Sequence, residues 1–126
     1  MTNPNIASAE TLSQHGVELL AAGSTAEAAE AFRAAIALDP AHVEAYHGLV
    51  RALRDADKVD QSIAAAEALC ALTPNDPLAH AALSISLQHA GRIPEAEAAA
   101  GRARILEWKI QLQQPAEESG DQGRNL

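Results

Sequence analysis

The sequence predicts an all-α fold of three antiparallel helical hairpins stacked in a row, with the last helix extended. Three observations predict it. Residue types recur every 34 positions, signals that start and stop helices alternate along the chain, and aromatic residues make up only 2% of the 126 residues while alanine is abundant. Alanine is the best helix former and allows helices to pack closely. Because one such hairpin cannot bury its apolar face alone, the copies must stack around a shared core.

The repeat is clearest at leucines and at small residues. Small side chains are expected where the two helices of a hairpin cross, and larger ones such as Phe32 and Leu69 are expected to fill the gap to a neighbouring hairpin. The positions that superpose at a spacing of 34 are Leu19, Leu53 and Leu87, then Leu38, Leu72 and Leu106, then Ala28, Ser62 and Ala96.

Helix-end signals divide the first unit into helices over 9–22 and 25–38. Gly23 is a typical stop after a helix. Ser24 is the expected N-cap of the second helix, with Glu27 completing a capping box. Asp39-Pro40 then ends that helix, because proline cannot continue it.

The later units follow the same scheme, with helices predicted over 41–56, 59–72, 77–90 and 94–113. Asp57 is the cap candidate between the two helices of the second unit. Asp76-Pro77 opens the third unit as a cap followed by proline, and Pro94 lies at the start of the last helix. The predicted organisation is a flexible N-terminus (1–8), three units (9–42, 43–76 and 77–114, the last with an extended capping helix) and a disordered polar tail (115–126).

This register resembles the tetratricopeptide repeat, whose pattern is a bulky residue, Leu-Gly, Tyr, Ala, an aromatic residue, Ala and Pro. The resemblance covers about residues 9–108 and implies a right-handed α-solenoid that binds proteins. The matching residues are Leu12, His15-Gly16, Leu19, Ala28, Phe32, Ala35 and Pro40, then Tyr46, Leu49-Val50, Leu53, Ser62, Ala66, Leu69 and Pro74, then His80, Leu83-Ser84, Leu87, Ala96, Ala100 and Ala103.

In this family the first helix of each hairpin lines a concave groove. Arg51 and Arg54 would share a helix face there and can receive a carboxylate; the alternative is a solvated face paired with nearby acidic residues. Small and apolar neighbours suggest a shallow trough for an extended segment or a helix, unless the curve of the array covers them. The groove residues that the resemblance implies are Ser13, Gln14, Val17, Glu44, His47, Arg51, Arg54, Ala82, Ile85 and His89.

One familiar function of the family is contradicted by the residues. Members that clamp the C-terminal carboxylate of chaperones use five lysine, asparagine and arginine side chains in the groove. None is kept here, so we expect no chaperone-tail clamp. The matching positions hold Ser13, Val17, Gly48, Leu78 and Ala82.

The last helix departs from the repeat in two ways. Glu97 and Arg104 occupy positions where the earlier units carry apolar or small residues, so no fourth hairpin is expected to follow. Beyond them, Ile105, Trp108 and Leu112 recur at helical spacing. This stripe either folds back as a cap on the last hairpin or forms an interface with a partner or a second copy.

Composition excludes several classes of function. The net charge of −8 disfavours nucleic acid and anionic membranes, and no apolar stretch approaches the length of a membrane span. We see no signal peptide, and the lone Cys70 needs no oxidising compartment, so a cytoplasmic location is expected.

No catalytic or metal-binding motif is evident. His15 and His80 fall at core-type repeat positions, and Cys70 is expected to be a small core residue. We therefore expect no enzyme, cofactor or metal. The predicted function is a protein-interaction adaptor that binds a peptide or helix of a partner in its groove, and the alternative is a structural module that self-assembles through its terminal helix.

Overall fold

The computed structural model describes residues 3–114, which fold into six α-helices without a strand in that range. The predicted disordered tail, 115–126, lies outside the described residues. The helices are α1 (Pro4–Ala21), α2 (Thr25–Leu38), α3 (Val43–Asp55), α4 (Val59–Leu72), α5 (Pro77–His89) and α6 (Ile93–Leu112). The predicted bounds of α2 and α4 are confirmed, and those of α3, α5 and α6 are within two residues.

The helix contacts define a curved array. Each helix packs on the one before it, and α3 also contacts both α1 and α5. Among the described residues, no Cα atom of α2 lies within 8 Å of α4, and none of α4 lies within 8 Å of α6. The first helices of the three hairpins therefore converge on the inside of the curve, and the second helices diverge on the outside.

The three turns inside the hairpins share one hydrogen-bonding pattern. The N–H of Ser24 donates to the carbonyl of Leu19 (2.9 Å), and the N–H of Gly23 donates to that of Leu20 (3.0 Å). Lys58 and Arg92 repeat the first bond at the later turns. This is the Schellman arrangement, which satisfies the last helical carbonyls and requires a left-handed residue after the helix.

Asp57 occupies that left-handed position, with φ of 63° beside 85° at Gly23 and 77° at Gly91. The predicted cap between the two helices of the second unit therefore takes the left-handed position that follows α3, and Lys58 is the residue before α4. Ser24 does precede α2, but its side chain makes no capping hydrogen bond, so the predicted capping box is wrong. At both sites the Schellman turn between the helices sets the geometry.

Two of the three helices that start outside such a turn, α1 and α5, have side-chain caps, whereas His42 before α3 makes none. The carboxylate of Asp76 accepts from the N–H of Leu78 at 3.0 Å, as predicted. Asn3 likewise accepts from the N–H of Asn5 at 2.9 Å and precedes Pro4. Helix α1 consequently begins at Pro4, and the prediction of a flexible segment up to residue 8 followed by a helix from residue 9 is corrected.

The core is thin and rich in alanine. The small residues Ala28, Ser62 and Ala96 are fully buried, as their repeat position predicts. Phe32 is the largest fully buried side chain. Its ring lies against the backbone of α1 at Gly16 and of α3 at Gly48, so it joins the first two hairpins.

Both terminal hairpins carry exposed polar residues. Glu97 and Arg104 are exposed on α6, as predicted for a terminal repeat. His15 is also exposed, and the prediction that it packs in the core is wrong. His15 matches Leu49 in the repeat, and no hairpin precedes α1 to cover it in the described chain. His80, at the other core-type position, is buried, and its Nε2 lies 2.9 Å from the carbonyl oxygen of Pro74.

Candidate binding groove

The concave face is formed by α1, α3 and α5, whose inward positions repeat every 34 residues. Val17, Arg51 and Ile85 occupy one such equivalent position, and all three are exposed: Val17 to 48%, Ile85 to 42% and the Arg51 side chain to 67%. These side chains therefore face solvent along one continuous surface, which we call the groove. It contains two depressions, one on each side of α3.

The depression between α3 and α5 is mostly apolar and has a volume of about 370 Å³. We call it the arginine depression, because Arg51 and Arg54 line it. Leu78 is 66% exposed beside them, and the alanines of α5 leave room above the helix. Its lining residues are His47, Val50, Arg51, Arg54, Leu78, Ala81, Ala82 and Ile85.

Arg54 is the half-buried cation of this depression. Burial lowers the pKa of its guanidinium; neighbouring Asp55 opposes this and Arg51 adds to it. Among the described residues, its one side-chain partner is the hydroxyl of Ser86, to which Nη1 donates over 3.4 Å. That hydroxyl already accepts from Ser62 at 2.7 Å. Arg54 thus remains ionised in a partly desolvated position with a weak neutral partner.

Arg51, unlike Arg54, is exposed and lies near a carboxylate. Its Nε lies 3.6 Å from the Asp55 carboxylate, one turn later on α3, and both side chains are well exposed. Exposed pairs of this kind contribute little to stability. The predicted pairing of the groove arginines with nearby acids therefore holds for Arg51 with Asp55, while Arg54 has no carboxylate within 4.0 Å in the described chain.

The depression between α1 and α3, which we call the polar depression, carries two exposed carboxylates, Glu10 and Glu44. Ser13 is only 6% exposed, so it forms part of the floor. Ser13, which the sequence predicts as a groove residue, therefore lines this depression with only a small exposed area. The lining residues are Glu10, Ser13, Gln14, Val17, His42 and Glu44.

The structure thus brings most of the predicted groove residues together. His89 is exposed at the end of α5 but lines neither depression. Glu10 and Leu78 were missed. They match Glu44 at the repeat spacing of 34 residues, so the register that identified Glu44 contained the signal for both.

A sequence profile described as Tetratricopeptide repeat matches residues 19–85, more than half of the chain. The chain belongs to the tetratricopeptide repeat family. A search of curated proteins finds no match.

Solved tetratricopeptide repeat structures share the fold. MamA superposes with a TM-score of 0.77 at 24% identity, over 82% of this chain and 61% of MamA. The second TPR of Spaghetti (RPAP3), solved with an HSP90 peptide, gives 0.73 at 18% identity, over 79% of this chain and 92% of that one. SycD, a type III secretion translocator chaperone of Yersinia enterocolitica, gives 0.75 at 19%, over 91% and 84%. The predicted right-handed α-solenoid of three repeats is confirmed.

The chain spans about three fifths of the length of MamA. At identities below 25% these similarities establish the fold of the tetratricopeptide repeat array and leave its partner open.

The extension of α6 carries an apolar stripe that no other described helix covers. Ile105, Trp108 and Leu112 are 53%, 63% and 69% exposed. Helix α6 packs on α5 within the described chain, and Ile105 borders a small depression together with Pro74 and His80. Trp108 and Leu112 are largely exposed, so the structure does not fold them back onto the last hairpin.

The part of the chain that the structure describes gives little support for a metal site, a reactive cysteine or a membrane span. No three His, Cys, Asp or Glu side chains there are placed to hold a metal ion. Burial raises the pKa of the Cys70 thiol, which disfavours the reactive thiolate. No helix within residues 3–114 is long and apolar enough to span a bilayer.

Proposed function

We propose that this chain is a non-enzymatic interaction module that binds a peptide or a helix of a partner protein in its groove. The observation that carries the proposal is the arginine depression, which combines exposed aliphatic side chains with a half-buried cation that has no carboxylate within 4.0 Å among residues 3–114. Exposure of such a surface to water is unfavourable, and a bound partner that covers it gains free energy. Family membership supports the same function, since the second TPR of Spaghetti was solved with a bound peptide.

The mode of binding differs from a chaperone-tail clamp. The five clamp positions carry small or apolar side chains, and a Cβ atom at one of them, Gly48, would meet the ring of Phe32. Neither a lysine nor an asparagine is available there to hold a terminal carboxylate. The occupant is therefore expected to be recognised mainly through α3 and α5.

The test uses peptides selected from a random dodecapeptide phage library against the full chain. We expect Ile85→Glu to weaken binding of the selected peptides by about tenfold or more, because it places a charge in the apolar part of the arginine depression. Ile93→Glu is the matched control, since Ile93 is similarly exposed (48% against 42%) but lies at the start of α6, outside both depressions.

Binding is measured by fluorescence anisotropy of labelled peptides. Amide chemical-shift changes in NMR spectra are expected to map to α1, α3 and α5. Equal affinities for the two glutamate variants, or shift changes confined to α2, α4 and α6, would overturn the proposal.

A second candidate function is self-assembly through the exposed stripe on α6, favoured by the exposure of Ile105, Trp108 and Leu112 on one helix. Under this candidate the chain forms a dimer at high concentration in size-exclusion chromatography with light scattering. The double variant Trp108→Ala/Leu112→Ala is expected to shift it to a monomer. A wild-type chain that remains monomeric at the highest concentration tested would remove this candidate.

A further inference from the structure

The two depressions of the groove carry side chains of opposite charge. The polar depression presents the exposed carboxylates of Glu10 and Glu44, whereas the arginine depression presents Arg51 and Arg54. The chain as a whole carries a net charge of −8. Within the groove, the arginines that can receive a carboxylate therefore lie between α3 and α5, whereas Glu10 and Glu44 repel one between α1 and α3.

Arg54 is the side chain best placed to receive that carboxylate. Its guanidinium has already lost part of its hydration, and its partner within the described chain is a neutral hydroxyl at 3.4 Å. A guanidinium donates two parallel hydrogen bonds to a carboxylate, and water-excluded contacts of this type are frequent binding hot spots. Arg51 already has Asp55 at 3.6 Å and is more exposed, so it is the weaker of the two anchors.

The surroundings of Arg54 favour an aliphatic side chain beside the carboxylate. Leu78 and Ile85 are exposed on α5, one on each side of the small residues Ala81 and Ala82. The depression of about 370 Å³ has room for such a side chain, and covering this patch removes apolar surface from water.

We propose that the groove recognises a peptide segment that carries an aspartate or glutamate next to a leucine, isoleucine or valine. The carboxylate binds the guanidinium of Arg54, and the aliphatic side chain packs on Leu78, Ala82 and Ile85. This inference rests on the proposed function and specifies the chemistry of the partner. A run of several acidic residues is disfavoured by Glu10 and Glu44.

The experiment uses the full chain and the selected dodecapeptides. Selected sequences are expected to be enriched in one acidic residue within a few positions of an aliphatic one. In the strongest binder, replacing the acidic residue by its amide counterpart (aspartate by asparagine, or glutamate by glutamine) is expected to weaken binding by about tenfold or more. Loss of a charge-assisted contact has an effect of this size. Arg54→Gln is expected to cause a similar loss, and Arg51→Gln a smaller one.

A double-mutant cycle makes the assignment specific. With Arg54→Gln, the amide peptide is expected to bind no more weakly than the acidic peptide, because the contact is already lost. Arg104→Gln removes the same charge from an exposed position on α6 and is expected to leave affinity unchanged. Thermal melts of each variant check that the fold is retained, and the peptide substitution tests the carboxylate without altering the protein.

The outcomes separate this inference from the proposed function. Peptides that lose binding with Ile85→Glu but carry no acidic residue, or are insensitive to Arg54→Gln, overturn the inference and leave groove binding in place. Peptides insensitive to Ile85→Glu overturn both.

Discussion

Replacing Phe32 with alanine is expected to lower the free energy of unfolding by about 3–5 kcal/mol, the cost of truncating a buried aromatic residue. Phe32 is fully buried and contacts the backbones of α1 and α3 at Gly16 and Gly48. Few other large side chains fill this core, in which alanine predominates, so the cavity cannot be filled by a neighbour. The loss is a large fraction of the 5–15 kcal/mol that is typical of a whole domain.

Urea unfolding followed by circular dichroism measures this loss, and the melting temperature is expected to fall by about 15–20 °C. Phe32→Leu keeps most of the volume and is expected to lose less than half as much. A loss below about 1 kcal/mol for Phe32→Ala would show that the ring does not join the first two hairpins, in conflict with its burial.

The second large effect is a difference between two glycines. A Cβ atom added at Gly48 would lie well inside the van der Waals distance of Cζ of Phe32, and one added at Gly16 would lie 2.8 Å from the same ring. Because both glycines enclose the ring, it has no space to move. Gly48→Ala is expected to destabilise the fold by about 2 kcal/mol, an overpacking cost near 3 offset by about 1 of helix propensity.

Gly101 is the matched control within α6. A Cβ atom there has Nη2 of Arg104 as its nearest neighbour at 3.8 Å, which is an ordinary contact. Gly101→Ala is therefore expected to stabilise the fold by about 0.5–1 kcal/mol. The two variants should change the free energy of unfolding in opposite directions, and a stabilising Gly48→Ala would contradict the packing of Phe32.

Much of the fold follows from local signals in the sequence. Helices α2 and α4 begin and end where the sequence predicts, since their stop signals and apolar periodicity act within a few residues. The groove follows from the repeat register, because equivalent positions in stacked hairpins face the same way. That register places Val17, Arg51 and Ile85 on one surface without any knowledge of tertiary contacts.

Asp57 shows how local geometry can mislead. Its side chain is suited to capping a helix, and the sequence alone does not distinguish the residue that ends α3 from the residue that begins α4. The Schellman turn decides it, since the bond from Lys58 to Leu53 requires a left-handed residue between the helices. Gly23 and Gly91 at the equivalent positions supply the same conformation without strain.

The sequence by itself determined the number of hairpins, the faces of the helices and the polar positions of Glu97 and Arg104 on the last helix, because these depend on residue type and spacing. Only the tertiary structure decided how exposed each side chain is to solvent. It buries Ser13, exposes His15 and leaves Arg54 partly desolvated, with no carboxylate within 4.0 Å in the part of the chain that the structure describes. Burial depends on neighbours from other hairpins, and a terminal hairpin lacks one of them. For the same reason the sequence left two alternatives for the α6 stripe, whereas the structure shows Trp108 exposed.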